Sequence, residues 1–172
     1  MIPMQRVFDE IYRRHYWRSS GPGHSLSGPG SDFLQSRAAQ SAILSTLSRM
    51  CGKRGVGQSC TVSMLDAACG DMTWMPLVLE AARKRGIWID YTGVDVSAVV
   101  TRLNNASRVL RSRLRAATAT FRFEQRDLTA HAPSRGYDLV LARHVFMHLT
   151  NEVRALQHAQ PRFRPLGRIA PI

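Results

Sequence analysis

Short apolar runs alternate with helix-like periodicity through the middle of the chain. Apolar residues that recur every three or four positions predict helices over Trp74–Arg85, Ser97–Arg115 and Asn151–Gln160. Four apolar runs predict strands: Thr61–Asp66, Ile87–Asp95, Thr118–Gln125 and Tyr137–Ala142. Strands that alternate with helices are typical of parallel strands joined by right-handed crossovers. We therefore predict an α/β, Rossmann-like fold with a doubly wound, mostly parallel sheet of about four strands, in which strand one is central, strands two and three lie on one side of it and strand four on the other.

The two ends of the chain have different patterns. Helical spacing predicts a short helix over Pro3–Trp17 and a second one from Phe33 to about Met50, capped by Asp32. Ser19–Ser31 contains Gly-Pro-Gly twice, so it can be neither helix nor strand, and it forms either a linker or a lid. We divide the chain into N-terminal helices and a loop (1–60), an α/β core (61–160) and an arginine- and proline-rich tail without a strand (161–172).

Composition narrows the class of protein. The 172 residues suffice for one hydrophobic core. No apolar stretch approaches the roughly 20 residues that span a bilayer, and the N-terminus lacks a signal-peptide pattern. Cys51, Cys60 and Cys69 are an odd, sparse set, which argues against a disulfide scaffold and fits a reducing compartment. We expect a cytoplasmic protein without a membrane segment.

The charge is strongly basic, with 24 Lys and Arg against 12 Asp and Glu, a formal net charge of +12. Such a balance is typical of proteins that bind nucleic acid or another anionic surface. However, only Lys53 and Lys84 are lysines, and the basic residues are spread along the whole chain. A coding bias towards arginine explains this as well as a selected surface does. Nucleic-acid binding is therefore an alternative that charge alone does not favour.

Candidate functional residues follow the predicted strands. In open parallel sheets, ligands bind beyond the carboxyl ends of the strands. Asp66 is followed there by small residues that let the backbone approach a ligand, and Asp95 could accept hydrogen bonds from both hydroxyls of a ribose. Asp127 with Leu128 could hold an adenine by its amino group and ring face. The structural alternatives are a helix cap for Asp66 and an ordinary turn at Asp127.

A second group follows the fourth predicted strand. Arg143 and His144 come directly after it, and a neutral His144 could take a proton from a hydroxyl or amine. His148 is four residues further and could face the same side of a helical turn. No third ligand lies nearby in the sequence, so hydrogen-bonded histidines are favoured over a metal site.

Four motifs together resemble class I S-adenosylmethionine-dependent methyltransferases, over about residues 64–149. They are LDAACGD from Leu65, GVDVS from Gly93, RDLT from Arg126 and YDLVLARHVFMHL from Tyr137. The resemblance implies S-adenosyl-L-methionine as the cofactor. It implies that Asp95 binds the ribose, that Asp127 and Leu128 bind the adenine, and that Arg143 and His144 face the transferred methyl group and the acceptor. It also implies cofactor contacts from the first turn: Asp66, Ala68, Gly70 and Asp71.

The sequence departs from this family's pattern in three ways. In the first turn, Ala68 holds the first small-residue position and Met72 the third, where a methionine would crowd the turn. An Asn-Pro-Pro-Tyr or Asp-Pro-Pro-Tyr element is missing after the fourth strand, which by resemblance speaks against methylation of base amines or glutamine amides. The family's sheet has seven strands, so we expect a C-terminally truncated or degenerate domain. Its fourth strand would be an open edge that exposes Leu139, Val140 and Leu141 and invites aggregation or a partner.

The function expected from the resemblance is methyl transfer from S-adenosylmethionine to an unidentified acceptor. One alternative is a non-catalytic, arginine-rich module that binds RNA or an acidic partner. Another is a fragment of a dinucleotide-dependent oxidoreductase, which the missing Gly-x-Gly-x-x-Gly pattern weakens. Because one fold hosts many activities, the choice among them depends on the site.

Overall fold

Five parallel strands form one sheet in the computed structural model. The structure describes Arg6, Asp9, Glu10 and residues 31–52, 59–72, 74–128, 130, 135–142 and 163–171, with the backbone only for 31–36 and 163–171. In chain order, the strands and main helices are α1 (Ser31–Cys51), β1 (Cys60–Ala67), α2 (Met75–Lys84), β2 (Ile87–Asp95), α3 (Ala98–Ala106), α4 (Arg108–Ala117), β3 (Thr120–Gln125), β4 (Tyr137–Ala142) and β5 (Phe163–Pro171). The order across the sheet is β3-β2-β1-β4-β5. The predicted α/β class and the placing of the first four strands are confirmed.

The main core lies between the sheet and a layer formed by α1, α2 and α4. Alternate residues of β1 and β2 point into it, as their period of two requires, and Met64, Ile89 and Tyr91 are fully buried there. The helices contribute apolar residues at helical spacing, among them Leu47, Leu79 and Leu114. A smaller cluster lies on the other face of the sheet: Leu65, Val94, Tyr137 and Val140, with Leu128 packed against it.

The tail is the main error of the sequence analysis. Residues 163–171 form β5, which pairs in parallel with β4, so the expectation of a strandless arginine- and proline-rich segment is wrong. Strand β4 therefore has a neighbour on each side, and Leu139, Val140 and Leu141 are buried instead of exposed at an open edge. Pro165 argued against a strand in the sequence, because a proline cannot donate a backbone hydrogen bond to the ladder. In the structure, Pro165 lies where the register between β4 and β5 shifts.

The long helix predicted from Ser97 is divided in two at Ser107. Ser97 caps α3 as predicted, since its Oγ accepts the Val100 N–H at 3.2 Å. Ser107 ends that helix and caps α4, where its Oγ accepts the Leu110 N–H at 3.3 Å. A serine favours this because its hydroxyl replaces the missing intrahelical partner of an N–H group. At the other end of the chain, α1 begins at Ser31, so Asp32 lies in its first turn and does not precede it.

The cysteines, the two predicted terminal helices and the predicted loop can be compared with the structure only in part. Cys51 at the end of α1 and Cys60 at the start of β1 form a disulfide, which the cysteine count did not predict. Arg6, Asp9 and Glu10 are helical, as expected, but the rest of Pro3–Trp17, most of the Ser19–Ser31 loop and the helix predicted over Asn151–Gln160 lie outside the described residues. Within the described residues no helix is long and apolar enough to cross a membrane. The cytoplasmic location stays a prediction.

Polar contacts tie the strands together on the face away from α1, α2 and α4. The Asp138 carboxylate accepts the backbone N–H and the hydroxyl of Ser63 at 2.9 and 2.7 Å, which joins β4 to β1. Arg135 reaches over to β2 and donates to Asp90 at 2.7 Å and to Thr92 at 3.2 Å. The hydrogen bond from Arg135 holds the pKa of Asp90 below its ordinary value. These hydrogen bonds between polar side chains help to fix the register of the strands.

Gly93 provides a test of the packing on the helical side. A Cβ at this position would lie 2.9 Å from both Cys69 Sγ and Phe123 Cδ1. We expect Gly93→Ala to lower the free energy of unfolding by about 1–3 kcal/mol, because overpacking forces buried neighbours to move. Urea denaturation measures the change. Ser112→Ala, on the exposed side of α4, is the control and should stay within about 0.5 kcal/mol. Equal stability of the two variants would contradict the packing described.

Candidate functional site

The carboxyl ends of β1, β2, β3 and β4 meet at one edge of the sheet. Asp66 and Gly93 are register partners, Ala67 pairs with both Val94 and Ala142, and Asp95 pairs with Gln125. The parallel register thus gathers the loops that follow these strands. Asp66, Asp95 and Asp127, which are up to 61 residues apart in sequence, all belong to this edge.

The turn after β1 has an alternating backbone conformation. Ala68, Gly70 and Met72 have φ angles of 58°, 58° and 59°, in the left-handed region. A glycine adopts this region freely, but any other L-residue pays roughly 1–2 kcal/mol. These are the three positions where the resemblance places small residues. The requirement that the pattern indicates is therefore a backbone conformation, and two non-glycine residues meet it here at a cost.

Three hydrogen bonds hold the strained turn against β2 and α3. The Cys69 N–H donates to the Val94 carbonyl at 2.9 Å, and the Gly70 N–H donates to Asp95 Oδ2 at 3.0 Å. From α3, Asn104 Nδ2 donates to the Gly70 carbonyl at 2.8 Å. Asn104 is fully buried, and its Oδ1 has no partner among the described groups. The contacts show that the turn is fixed by β2 and α3.

The side chain of Asp95 connects the turn after β1 with the start of α3. While its Oδ2 accepts the Gly70 N–H, its Oδ1 accepts the Ser97 N–H at 2.9 Å. Burial raises the pKa of Asp95, the hydrogen bonds from Ser97 and Gly70 oppose this rise, and the negative charge of Asp9 adds to it. The backbone N–H of Val96 also donates to this carboxylate, which has about four lone-pair sites in all. The residue can therefore fix the turn and still bind a ligand hydroxyl.

Asp66 lies beneath the turn, with 5% of its surface exposed. Tyr91 Oη donates to Asp66 Oδ2 at 2.8 Å and lies 2.9 Å from Met72 Sδ. Burial, with the nearby Asp66 charge, raises the pKa of Tyr91 well above its ordinary value, so the phenol stays a donor at neutral pH. Met72 is buried as well, and its side chain fills space below the turn. The Met72 side chain thus packs against Tyr91, and the expectation that it crowds the turn stays a prediction.

Other predicted residues are placed less centrally. Asp127 is exposed, and Leu128 is partly buried against Ala67 and Ala142. Asp71 follows Gly70 in the turn and is partly exposed. Arg143, His144 and His148 lie outside the described residues. Their suggested roles, like those of the other site residues, stay predictions.

Cys69 lies inside the turn with its Sγ against Gly93. Desolvation, together with the charges of Asp66 and Asp95, raises the pKa of its thiol well above the ordinary value. The thiol therefore stays protonated at neutral pH and is a poor nucleophile. Its role is to fill space beside the turn.

Sequence reasoning missed three residues of this edge. Asp9, from the N-terminal segment, accepts hydrogen bonds from Ser97 Oγ at 2.6 Å and from the Val99 N–H at 3.3 Å, at the positive end of α3. No local signal could place it there, because 88 residues separate it from Ser97. Tyr91 gave no signal either, since a tyrosine in a buried strand is ordinary. Asn104 had one: a polar residue four positions after Val100, on the face of the helix that is otherwise apolar.

Comparison with known proteins identifies the family. Residues 65–169 match the family model described as a methyltransferase domain, a range that runs from the end of β1 into β5 and includes Asp66, Asp95 and Asp127. The chain belongs to this methyltransferase family. No curated protein sequence matches the chain.

Solved methyltransferase structures share the fold. The plantazolicin methyltransferase BpumL, in complex with a desmethyl-plantazolicin analogue and S-adenosylhomocysteine, superimposes with a TM-score of 0.64 at 16% identity, over 98% of this chain and 55% of that one. The magnesium protoporphyrin IX methyltransferase ChlM from Synechocystis PCC 6803, with bound S-adenosylmethionine, gives 0.57 at 16% identity, over 95% and 73%. The [4+2]-cyclase SpnF gives 0.62 at 21% identity, over 97% and 57%. This methyltransferase-family chain thus spans little more than half the length of BpumL and SpnF.

The strain in the turn can be tested at Ala68. We expect Ala68→Gly to raise the free energy of unfolding by about 0.5–1 kcal/mol, because relief of a left-handed alanine outweighs the extra entropy of an unfolded glycine. Gly70→Ala should have the opposite effect, a net loss of about 0.5–1 kcal/mol by the same balance. Thermal unfolding measures both variants. A stabilising Gly70→Ala would show that the turn does not have the conformation described.

Proposed function

We propose that this methyltransferase-family chain binds S-adenosyl-L-methionine at the carboxyl edge of the sheet and takes part in transfer of its methyl group to an acceptor. The observation that carries the proposal is the left-handed turn at Ala68–Met72, fixed to Asp95. It lies within the part of the chain that matches the methyltransferase domain model. S-adenosylmethionine or S-adenosylhomocysteine is bound in several solved relatives of this fold, which supports the choice of cofactor.

The chemistry of the described groups fits this cofactor. The hydroxyls of a ribose donate hydrogen bonds, and the Asp95 carboxylate keeps acceptor capacity beyond its bonds to backbone N–H groups. An adenine needs an apolar surface and an acceptor for its amino group, which Leu128 and Asp127 would supply side by side. The turn approaches the ligand with backbone and a small Cβ at Ala68, because the larger Met72 side chain is buried below it.

In the proposed reaction, the chain orients the two reactants and excludes water from the site. When bound, the cofactor supplies a methyl group on a sulfonium sulfur that is already activated for displacement. An activated leaving group leaves orientation of the acceptor as the main task of the protein. The fixed turn and Asp95 would hold one reactant, and burial of Tyr91 and Met72 keeps solvent from entering beneath it. His144 and Arg143 remain our candidates for the acceptor side, with His144 as the proton acceptor.

Calorimetric titration with S-adenosylmethionine and S-adenosylhomocysteine tests the proposal. We expect saturable binding of both, and a loss of at least about tenfold in affinity for Asp95→Asn, which keeps the size of the side chain but removes its charge and one acceptor. Asp90→Asn is the matched control, because that carboxylate lies towards the other end of β2 and is paired with Arg135. It should bind the cofactor like the unmodified chain. No binding by folded protein would refute the cofactor assignment.

Cofactor affinity should also depend on pH. The hydroxyls of a ribose donate to a carboxylate, so protonation of Asp95 removes an acceptor. Since burial raises its pKa, we expect affinity to begin to fall at a higher pH than the titration of an ordinary aspartate, with a pKa of about 3.9, would cause. A raised pKa in the folded state means that protonation of Asp95 favours the fold, so this loss is not due to unfolding through this residue. The contribution of Asp90 to stability is lost only at lower pH, through its lowered pKa.

Titrations at several pH values, with circular dichroism at each, measure the effect. The Asp95→Asn variant should show a flatter dependence of affinity on pH. An equally steep dependence in this variant would assign the titration to another group.

A further inference from the structure

A basic groove crosses the outer surface where α1 meets the end of α2, away from the carboxyl edge. Its larger part has a volume of about 770 Å³ and is lined on α1 by Arg37, Ser41, Ser45, Ser48 and Arg49. Arg85, just after α2, also lines it. A second part of about 500 Å³ continues from Ser48 and Arg85 to Trp88 at the start of β2. We call the whole surface the basic groove.

The lining residues of α1 form a stripe along one side of the helix. Residues 37, 41, 45 and 48 follow one another at intervals of three or four, which places them on the same face. With a rise of 1.5 Å per residue, Arg37 and Arg49 are about 18 Å apart along the axis. The stripe therefore presents guanidinium groups at both ends and hydroxyl groups between them, which suits an extended anionic chain.

The described lining of the basic groove contains basic, polar and apolar residues. No aspartate or glutamate is among its described lining residues. Arg49 donates to Thr46 Oγ1 at 3.2 Å and Arg85 to Ser48 Oγ at 3.4 Å, and both of these partners are neutral. The acidic side chains described above lie elsewhere, at the carboxyl edge or on the far face of the sheet. An anion in the basic groove would therefore meet two arginines whose charge no described carboxylate neutralises.

Trp88 lines the end of the basic groove, and a guanidinium group from outside the lining residues stacks on its ring. The Arg83 guanidinium lies 3.7 Å from the centroid of the Trp88 ring, and Trp88 is partly exposed. Nucleic-acid bases stack on aromatic rings and on guanidinium planes, whereas arginine and serine donate to phosphate oxygens. A nucleotide has both a phosphate and a base. An acidic peptide has no base to match the stack.

We propose that the basic groove binds the backbone of a single-stranded nucleic acid, with Arg37, Arg49 and Arg85 at its phosphates and the serine hydroxyls of α1 as further donors. An open groove with basic side chains and an aromatic ring is the arrangement by which proteins bind single strands without sequence preference. The site is separate from the carboxyl edge, so the proposal does not depend on cofactor binding. It gives part of the high positive charge a function that the spread of arginines in the sequence did not indicate.

Fluorescence anisotropy with labelled oligonucleotides of about 12 nucleotides tests the proposal, using oligouridylate and oligothymidylate as RNA and DNA probes. Three phosphate contacts predict a slope of about −2 for log affinity against log salt, so affinity should fall roughly 20-fold between about 50 and 200 mM salt. The double variant Arg49→Gln, Arg85→Gln should bind at least about tenfold more weakly at low salt. Its slope should fall to about −0.7. A preference for the RNA probe would mean that the 2′-hydroxyl is recognised.

The matched control is Arg108→Gln, Arg115→Gln, which removes the same charge from the exposed side of α4, outside the groove. It should bind within about twofold of the unmodified chain. Equal losses in the two double variants would show attraction to overall charge and overturn the assignment to the groove. Polyglutamate of the same length is the competitor: if it displaces the oligonucleotide at equal concentration, the groove is a site for acidic protein and not for nucleic acid. Thermal unfolding of both variants confirms that they fold.

Discussion

The carboxyl edge of the sheet depends on the hydrogen bonds that the Asp95 carboxylate accepts. One oxygen holds the turn after β1 through Gly70, and the other holds the entry to α3 through Ser97. Two loops that are far apart in sequence are thus fixed by one side chain. A buried carboxylate is costly unless it is hydrogen-bonded, and here backbone N–H groups offset that cost. The role that we propose for Asp95 in ligand binding needs only the acceptor capacity that remains beyond these bonds.

The turn beside Asp95 shows how strain is retained at such a site. Ala68 and Met72 occupy a backbone region that favours glycine, and the surrounding contacts from Val94, Asp95 and Asn104 determine the conformation. Met72 is tolerated because the space for its side chain lies below the turn, next to Tyr91. The family pattern of small residues therefore indicates which backbone angles are needed. Whether a larger residue fits depends on the cavity beneath, which the pattern does not reveal.

Two charged groups of residues lie on separate parts of the molecule. Asp66, Asp95 and Asp127 follow the ends of the parallel strands, and Arg37, Arg49 and Arg85 line the outer side of the helical layer. The division follows from topology, because parallel strands bring the loops after each strand to one edge, whereas helices expose one side along their whole length. A net charge of +12 can thus coexist with acidic residues gathered at the carboxyl edge of the sheet. Fold alone does not fix the activity, since a [4+2]-cyclase shares this architecture with methyltransferases.

Local pattern by itself determined the fold class, the first four strands and the acidic residues at their ends, because periodicity and strand-end position are local properties. The order of these strands across the sheet came from the general topology of doubly wound folds. Only the tertiary structure decided the rest. β5 exists because β4 offers a partner ladder that outweighs the unfavourable prolines. The long predicted helix divides because Ser107 can cap each half. Three residues join the carboxyl edge through contacts with residues 19 to 88 positions away in sequence: Asp9, Tyr91 and Asn104. Contacts at such sequence separations leave no periodic signal.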